Sequence, residues 1–140
     1  SYRYNTQPLC GHCPLTFPFE LLRTVRLMTL PEFAAVLLKA GLPVYHQVAP
    51  DQPGNRYVVW QEYAGQRQTG GPLLIHHIQV DFYTKSELDQ RIECLLRELE
   101  GSGVYQEEPE ISYDAETGYT RYMIECQIID TTMRRMTNGK

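Results

Sequence analysis

The sequence contains no run approaching the ~18 uninterrupted apolar residues that a membrane-spanning helix requires. Its most apolar early stretch, LTFPFELLRTV, is short and broken by Pro18, Glu20 and Arg23, which makes it a poor secretory signal. A soluble protein made in the cytosol is therefore expected. Cysteine is scarce: only Cys10, Cys13, Cys94 and Cys126. The last two fall on a predicted helix and a predicted strand, where a reduced thiol serves as a small buried apolar group, so the even count is not a disulfide framework. Cys10 and Cys13 form a CGHC knuckle with His12, but no second Cys/His pair follows at zinc-finger spacing and no strand–helix context supports redox chemistry. Phosphate-binding glycine loops are missing too, since Gly70-Gly71 runs into Pro72 instead of a helix. No serine sits in a nucleophile elbow. The motifs thus give no support for an enzyme, and no cofactor or metal is assigned.

Positive charge is scarce in the middle of the chain. Met28 to Thr132 holds seven Lys/Arg against sixteen Asp/Glu, a net of −9, while the two ends together hold six basic residues and only Glu20, a net of +5. Gripping DNA or RNA requires a Lys/Arg patch to neutralise phosphates, and this body has none. The basic ends are either solvated or reach a neighbouring subunit.

What is present is organised around LLIHHIQVDFYTKSELDQRIECLLRELEG, from Leu73 to Gly101. Leu74, Ile78, Val80 and Phe82 alternate with His77, Gln79 and Asp81, the period of a half-buried strand, with His76 breaking the apolar row. Ser86 is the expected N-cap of a following helix, with Asp89 three residues on. Leu88, Ile92, Leu95, Leu96 and Leu99 give that helix its apolar stripe, and Gly101 is expected to close it.

Upstream, Thr29 caps a helix with Pro31 in its first turn and Phe33, Val36 and Leu37 on one face, ending at Gly41. LPVYHQV (42–48) reads as a short edge strand because of Pro43, and RYVVWQE (56–62) as a second strand. Tyr63 to Gly71, YAGQRQTGG, is polar and glycine-bearing, and is expected to be an exposed loop, either a connector or a functional one. Val104–Tyr113 and Tyr119–Asp130 form a hairpin about the turn DAETG, with Tyr122, Ile124, Cys126 and Ile128 toward the helices. The expected fold is α+β: a mixed, mainly antiparallel sheet with two helices packed on one face. Domain organisation follows: residues 1–27 an extension, non-native or mis-assigned because Met28 looks like a natural start; 28–132 a single domain; 133–140 a basic tail.

The pieces MTLPEFAAVLLKAGLPVYHQVAP, YVVWQEY with its loop, IHHIQVDFYTKSELDQRIECLLRELEGSGVYQ and YDAETGYTRYMIECQI give the span from Met28 to Thr132 a resemblance to a small family from the head-to-tail gene cluster of long-tailed bacteriophages and prophages. The resemblance implies a structural virion protein, a tail terminator or tail-completion protein. Such proteins form a ring, hexameric in similar proteins, that caps the tail tube and joins tail to head. Implied partners are further copies of itself, the tail tube protein and a head-completion or connector protein. DNA would pass through without specific binding, and no membrane is involved. The implied location is the virion tail, assembled in the host cytoplasm.

On this reading the residues for assembly are Tyr63, Gln66, Arg67 and Gln68 in the loop, and the carboxylates Asp81, Glu107, Glu108 and Glu110, which would let DNA slide past. Two alternatives stay open. One is a head-completion or neck protein of the same cluster. The other is a small-molecule-binding regulatory domain acting as a dimer. An enzyme would need His76 or His77 to converge with Asp81, His46 or a cysteine.

Overall fold

The structure, a computed structural model, describes residues 26–68 and 73–131. The Cys10–Cys13 knuckle, the Gly70-Gly71 pair and the basic segment 133–140 lie outside the described residues. Eight elements follow one another: α1 (Leu30–Leu38), β1 (Val44–His46), β2 (Arg56–Gln68), β3 (Leu73–Thr84), α2 (Arg91–Gly101), β4 (Tyr105–Gln106), β5 (Glu110–Asp114) and β6 (Tyr119–Thr131).

The strands form one sheet in the order β1-β2-β3-β6-β4, with β5 also on the outer side of β6. Only β1 runs parallel to its neighbour among these strands; β2, β3, β6, β4 and β5 pair antiparallel. This is the expected α+β architecture. β3 and β6 pair along their whole length, from Leu73 opposite Thr131 to Thr84 opposite Thr120. The register places Val58 and Trp60 of β2, Ile78, Val80 and Phe82 of β3, and Ile124, Cys126 and Ile128 of β6 on one face. All of them join a single core with Phe33, Val36 and Leu37 of α1 and Ile92, Leu95 and Leu99 of α2. Both helices therefore cover the same face. Each fully buried Leu, Ile or Phe contributes roughly 1.5–3 kcal/mol, so these two apolar stripes are what fasten the helices to the sheet.

α1 is held at its start by a reciprocal capping box. The Thr29 hydroxyl accepts from the Glu32 N–H, and the Glu32 carboxylate accepts from the Thr29 N–H. α2 begins later than its sequence suggests. Ser86 is not its cap; Asp89 accepts from the Arg91 N–H (3.0 Å), and Leu88, expected on the apolar stripe, is 88% exposed with φ +53°. The helix closes past Gly101, where Gly103 takes φ +84°. There the Val104 N–H reaches the Leu99 carbonyl and the Gly103 N–H the Glu100 carbonyl, the paired bonds of a Schellman ending.

The start of the described body and one expected loop need a closer description. Leu27 pairs with Ile129 and the Met28 N–H donates to the Ile129 carbonyl at 2.8 Å, so the sheet contacts of the described body begin at Leu27. Residues 63–68, expected as loop, continue β2, with Ala64 opposite His77, Arg67 opposite Ile75 and Gln68 opposite Leu74. Register shifts between Glu62 and Ala64 and between Ala64 and Arg67 mark bulges there. β4 and β5 are one outer strand interrupted around Glu108–Pro109: Gln106 pairs with Cys126 and Glu110 with Met123, leaving one extra residue on the outer side. Gly118, at φ +83°, closes the β5–β6 hairpin with its N–H on the Asp114 carbonyl at 2.8 Å.

Candidate interaction surface

No element among the described residues packs on the other face of the sheet, and that open face gathers most of the chemistry. At the end nearest the β3–α2 turn it carries four tyrosines. Tyr57 and Tyr83 stack at 4.7 Å, and Tyr119 meets both edge-on at 5.5 and 6.0 Å. Tyr45 approaches Tyr57 edge-on at 6.3 Å. Lys85 lies 4.9 Å above the Tyr119 ring, a cation–π contact, and the Tyr119 hydroxyl donates to the Gly54 carbonyl at 2.5 Å. Burial pushes the Tyr57 phenol up to about 12, helped by the phenols of Tyr83 and Tyr119 and by Asp81.

Midway, Asp81 is buried and accepts from Arg121 Nε (3.2 Å) and Gln79 Nε2 (3.0 Å). Desolvation alone would lower the Arg121 pKa, but the hydrogen bond and charge of Asp81, with Tyr83 and Glu110 adding to it, raise it. Asp81 is thus a structural anion already matched by a cation.

The far end is different. Tyr63, 46% exposed at the first bulge of β2, meets the His77 ring edge-on at 6.1 Å. Across β6 stand Glu125 and Gln127, and beyond them Tyr105, 58% exposed, and Glu107, whose N–H donates to the Glu125 carbonyl at 3.0 Å. Burial first, then the carboxylates of Glu125 and Glu107, raise the pKa of Tyr63. Glu110 lies on the same face opposite Met123, and Glu108 sits exposed at the interruption of the outer strand.

The eight residues singled out from sequence therefore divide. Tyr63, Asp81, Glu107 and Glu110 share the open face, and Glu108 borders it. Gln66, Arg67 and Gln68 lie on β2, not in a loop. The tyrosine cluster was not singled out, although Tyr57, Tyr83 and Tyr119 each sit at the polar positions of alternating strands.

Among the described residues, His46, His76 and His77 do not converge. His76 is 2% exposed on the helix-covered face, its Nδ1 2.6 Å from a Glu62 carboxylate oxygen; His77 points to the open face; His46 stacks on Trp60 at 4.2 Å near the β1 edge. Burial pushes the Cys126 thiol up to about 12, far from a reactive thiolate. Among the described residues no three His, Cys, Asp or Glu side chains cluster as a metal site, and no helix is long and apolar enough to cross a membrane. Neither a family model nor a curated protein matches the chain.

Proposed function

We propose that this chain is a structural virion protein of the tail-completion class: an oligomeric ring subunit that caps the tail tube of a long-tailed phage or prophage and joins it to the head. The observation that carries the reading is the sheet face that no element among the described residues covers, bounded by outer strands β1 and β5. Every residue of β5 is exposed, including Ile111 at 62% and Tyr113 at 67%. A monomeric fold normally covers or blunts such edges. A subunit whose two edges differ is suited to head-to-tail contacts, which close into rings when the rotation allows. The resemblance of residues 28–132 to the tail-completion family supplies the identity of the ring. A neck protein of the same cluster would use the same surfaces and is separated by its partner alone.

The test is mass in solution by light scattering over a range of concentrations, with negative-stain imaging, alone and with tail tubes. A six-fold ring, or a monomer that becomes one on tubes, is the expected result. A tight dimer at every concentration with no affinity for tubes would overturn the proposal and favour a ligand-binding dimer.

A further inference from the structure

The two helices do not cover the whole of their own sheet face. α1 lies toward β2, where Phe33 meets the Trp60 ring edge-on at 5.6 Å; α2 lies toward the other side, where Gln106 Nε2 of β4 donates to the Leu96 carbonyl at 3.2 Å. Beyond α2 comes β5. Its register sets Ile111 opposite Tyr122 and Tyr113 opposite Thr120, so both point to the helix side, yet they are 62% and 67% exposed. Tyr122 packs on the core beside Phe82, ring centroids 5.7 Å apart, and is only half-buried. No described element completes the cover over this strip.

The wall of the strip is α2. Its flank toward α1 is fixed by Arg91, which donates to the Ala40 carbonyl at 3.2 Å, and by Cys94, buried one turn on. The opposite flank therefore carries half-buried Leu96, with exposed Glu93 and Glu100 about one turn to either side. The far rim is acidic as well: residues 107–116, the outer strand and its hairpin, hold five carboxylates and no Lys or Arg. On α2, Arg97 is already engaged, and Arg26 lies past the helix end against Gly103.

We infer that this strip between α2 and β5 is a docking groove for a basic amphipathic helix of another protein. Its apolar stripe lies on Ile111, Tyr113, Tyr122 and Leu96, and its flanking Lys or Arg side chains meet the acidic rims. A helix with its stripe inward is the cover that the rest of this face already has. The helices of a second copy do not supply it, because α1 and α2 both have their stripes in their own core. The inference goes beyond the ring reading. Strand addition along the edge of β5 uses backbone groups and leaves Ile111 and Tyr113 on the face, so ring and groove coexist.

The test is alkylation of the full chain carrying Ile111→Cys in the groove or, as a control on the open face, Ser112→Cys. Circular dichroism confirms folding, and digestion with mass spectrometry reads each site. Two synthetic probes are added: an amphipathic helix of leucines and lysines, and the same helix with glutamate for lysine. Without a probe, the thiol at position 111 is expected to react freely at every protein concentration. The lysine helix should slow it about tenfold and leave the thiol at position 112 unchanged, and the glutamate helix should slow neither. No slowing at all would overturn the inference, as would equal slowing at both positions or by both helices. A thiol at position 111 protected without a probe also overturns it. Protection that grows with protein concentration assigns the strip to a second copy and leaves the ring reading standing; protection independent of concentration assigns it to the chain's own segments.

Discussion

Asp89 joins three parts of the chain through one carboxylate. It accepts from the Thr84 hydroxyl in a short hydrogen bond, from Arg56 Nε at 2.8 Å and from the Arg91 N–H at 3.0 Å, so the end of β3, the start of β2 and the first turn of α2 meet there. Burial by itself would raise its pKa, but the hydrogen bonds from Thr84, Arg91 and Arg56 outweigh it, and the folded-state value lies below the ordinary one. A group whose pKa is depressed on folding contributes stability above its unfolded pKa of ~3.9 and loses it as pH falls through the folded value. Replacing Asp89→Asn should therefore cost roughly 1–3 kcal/mol at neutral pH and shrink toward zero difference in strong acid, read from urea melts across pH 2–7. Its neighbour Leu88 is held in the left-handed region at φ +53° with its side chain in water. That conformation costs a non-glycine residue about 1–2 kcal/mol, with no burial to offset it. Leu88→Gly is expected to raise stability by about 0.5–1 kcal/mol, and a lower urea midpoint would contradict this account.

At the scale of elements, local chemistry decided how much could be read in advance. α1 was legible because its signals are all within one turn: Thr29, Pro31 and the stripe of Phe33, Val36 and Leu37. Thr29→Ala removes the side-chain acceptor of the capping box and should cost ~1 kcal/mol, a drop of about 3 °C in melting temperature for a chain of this size. The start of α2 was not legible. Ser86 and Asp89 are both good caps by type, yet the helix starts after Gln90, which makes no side-chain cap, while Asp89 accepts from the Arg91 N–H and from Arg56, 33 residues upstream of it. The stretch 63–71 misled for a related reason. Its glycines and polar residues say loop, yet the backbone of 64–68 finds partners on β3 by slipping register twice. His76 was visible as the break in an apolar row, but its partner Glu62 lies on the neighbouring strand, and only the pairing of β2 with β3 brings them together. The candidate surface was half legible for the same reason. The carboxylates stand out in the sequence; that Glu107, Glu110 and Glu125 share one face is a product of the β4–β6 and β5–β6 registers.

At the scale of the molecule, the acidic body offers two kinds of carboxylate that composition cannot tell apart. Asp81 is buried and answered by Arg121, so it belongs to the sheet's own structure. Removing one partner of such a pair strands the other, and Asp81→Asn should lower stability by roughly 1–3 kcal/mol whatever the protein does. Glu108 and Glu110 are exposed on the outer strand; Glu110 adds only through solvent-screened charge to the Asp81–Arg121 pair, and exposed substitutions of this kind usually stay within about 0.5 kcal/mol. The double change Glu108→Gln/Glu110→Gln is therefore the clean probe of surface charge. If this outer strand borders a channel through which DNA moves, two fewer negative charges per subunit would leave the backbone phosphates less repelled, and in a ring the change repeats once for every copy. The expected outcome is a folded, ring-forming protein with an unaltered melt, whose particles release DNA more slowly, most visibly at low salt where screening is weakest. Ejection kinetics identical to the unaltered particle at both low and high salt would place this strand outside any channel and assign its charge to solubility.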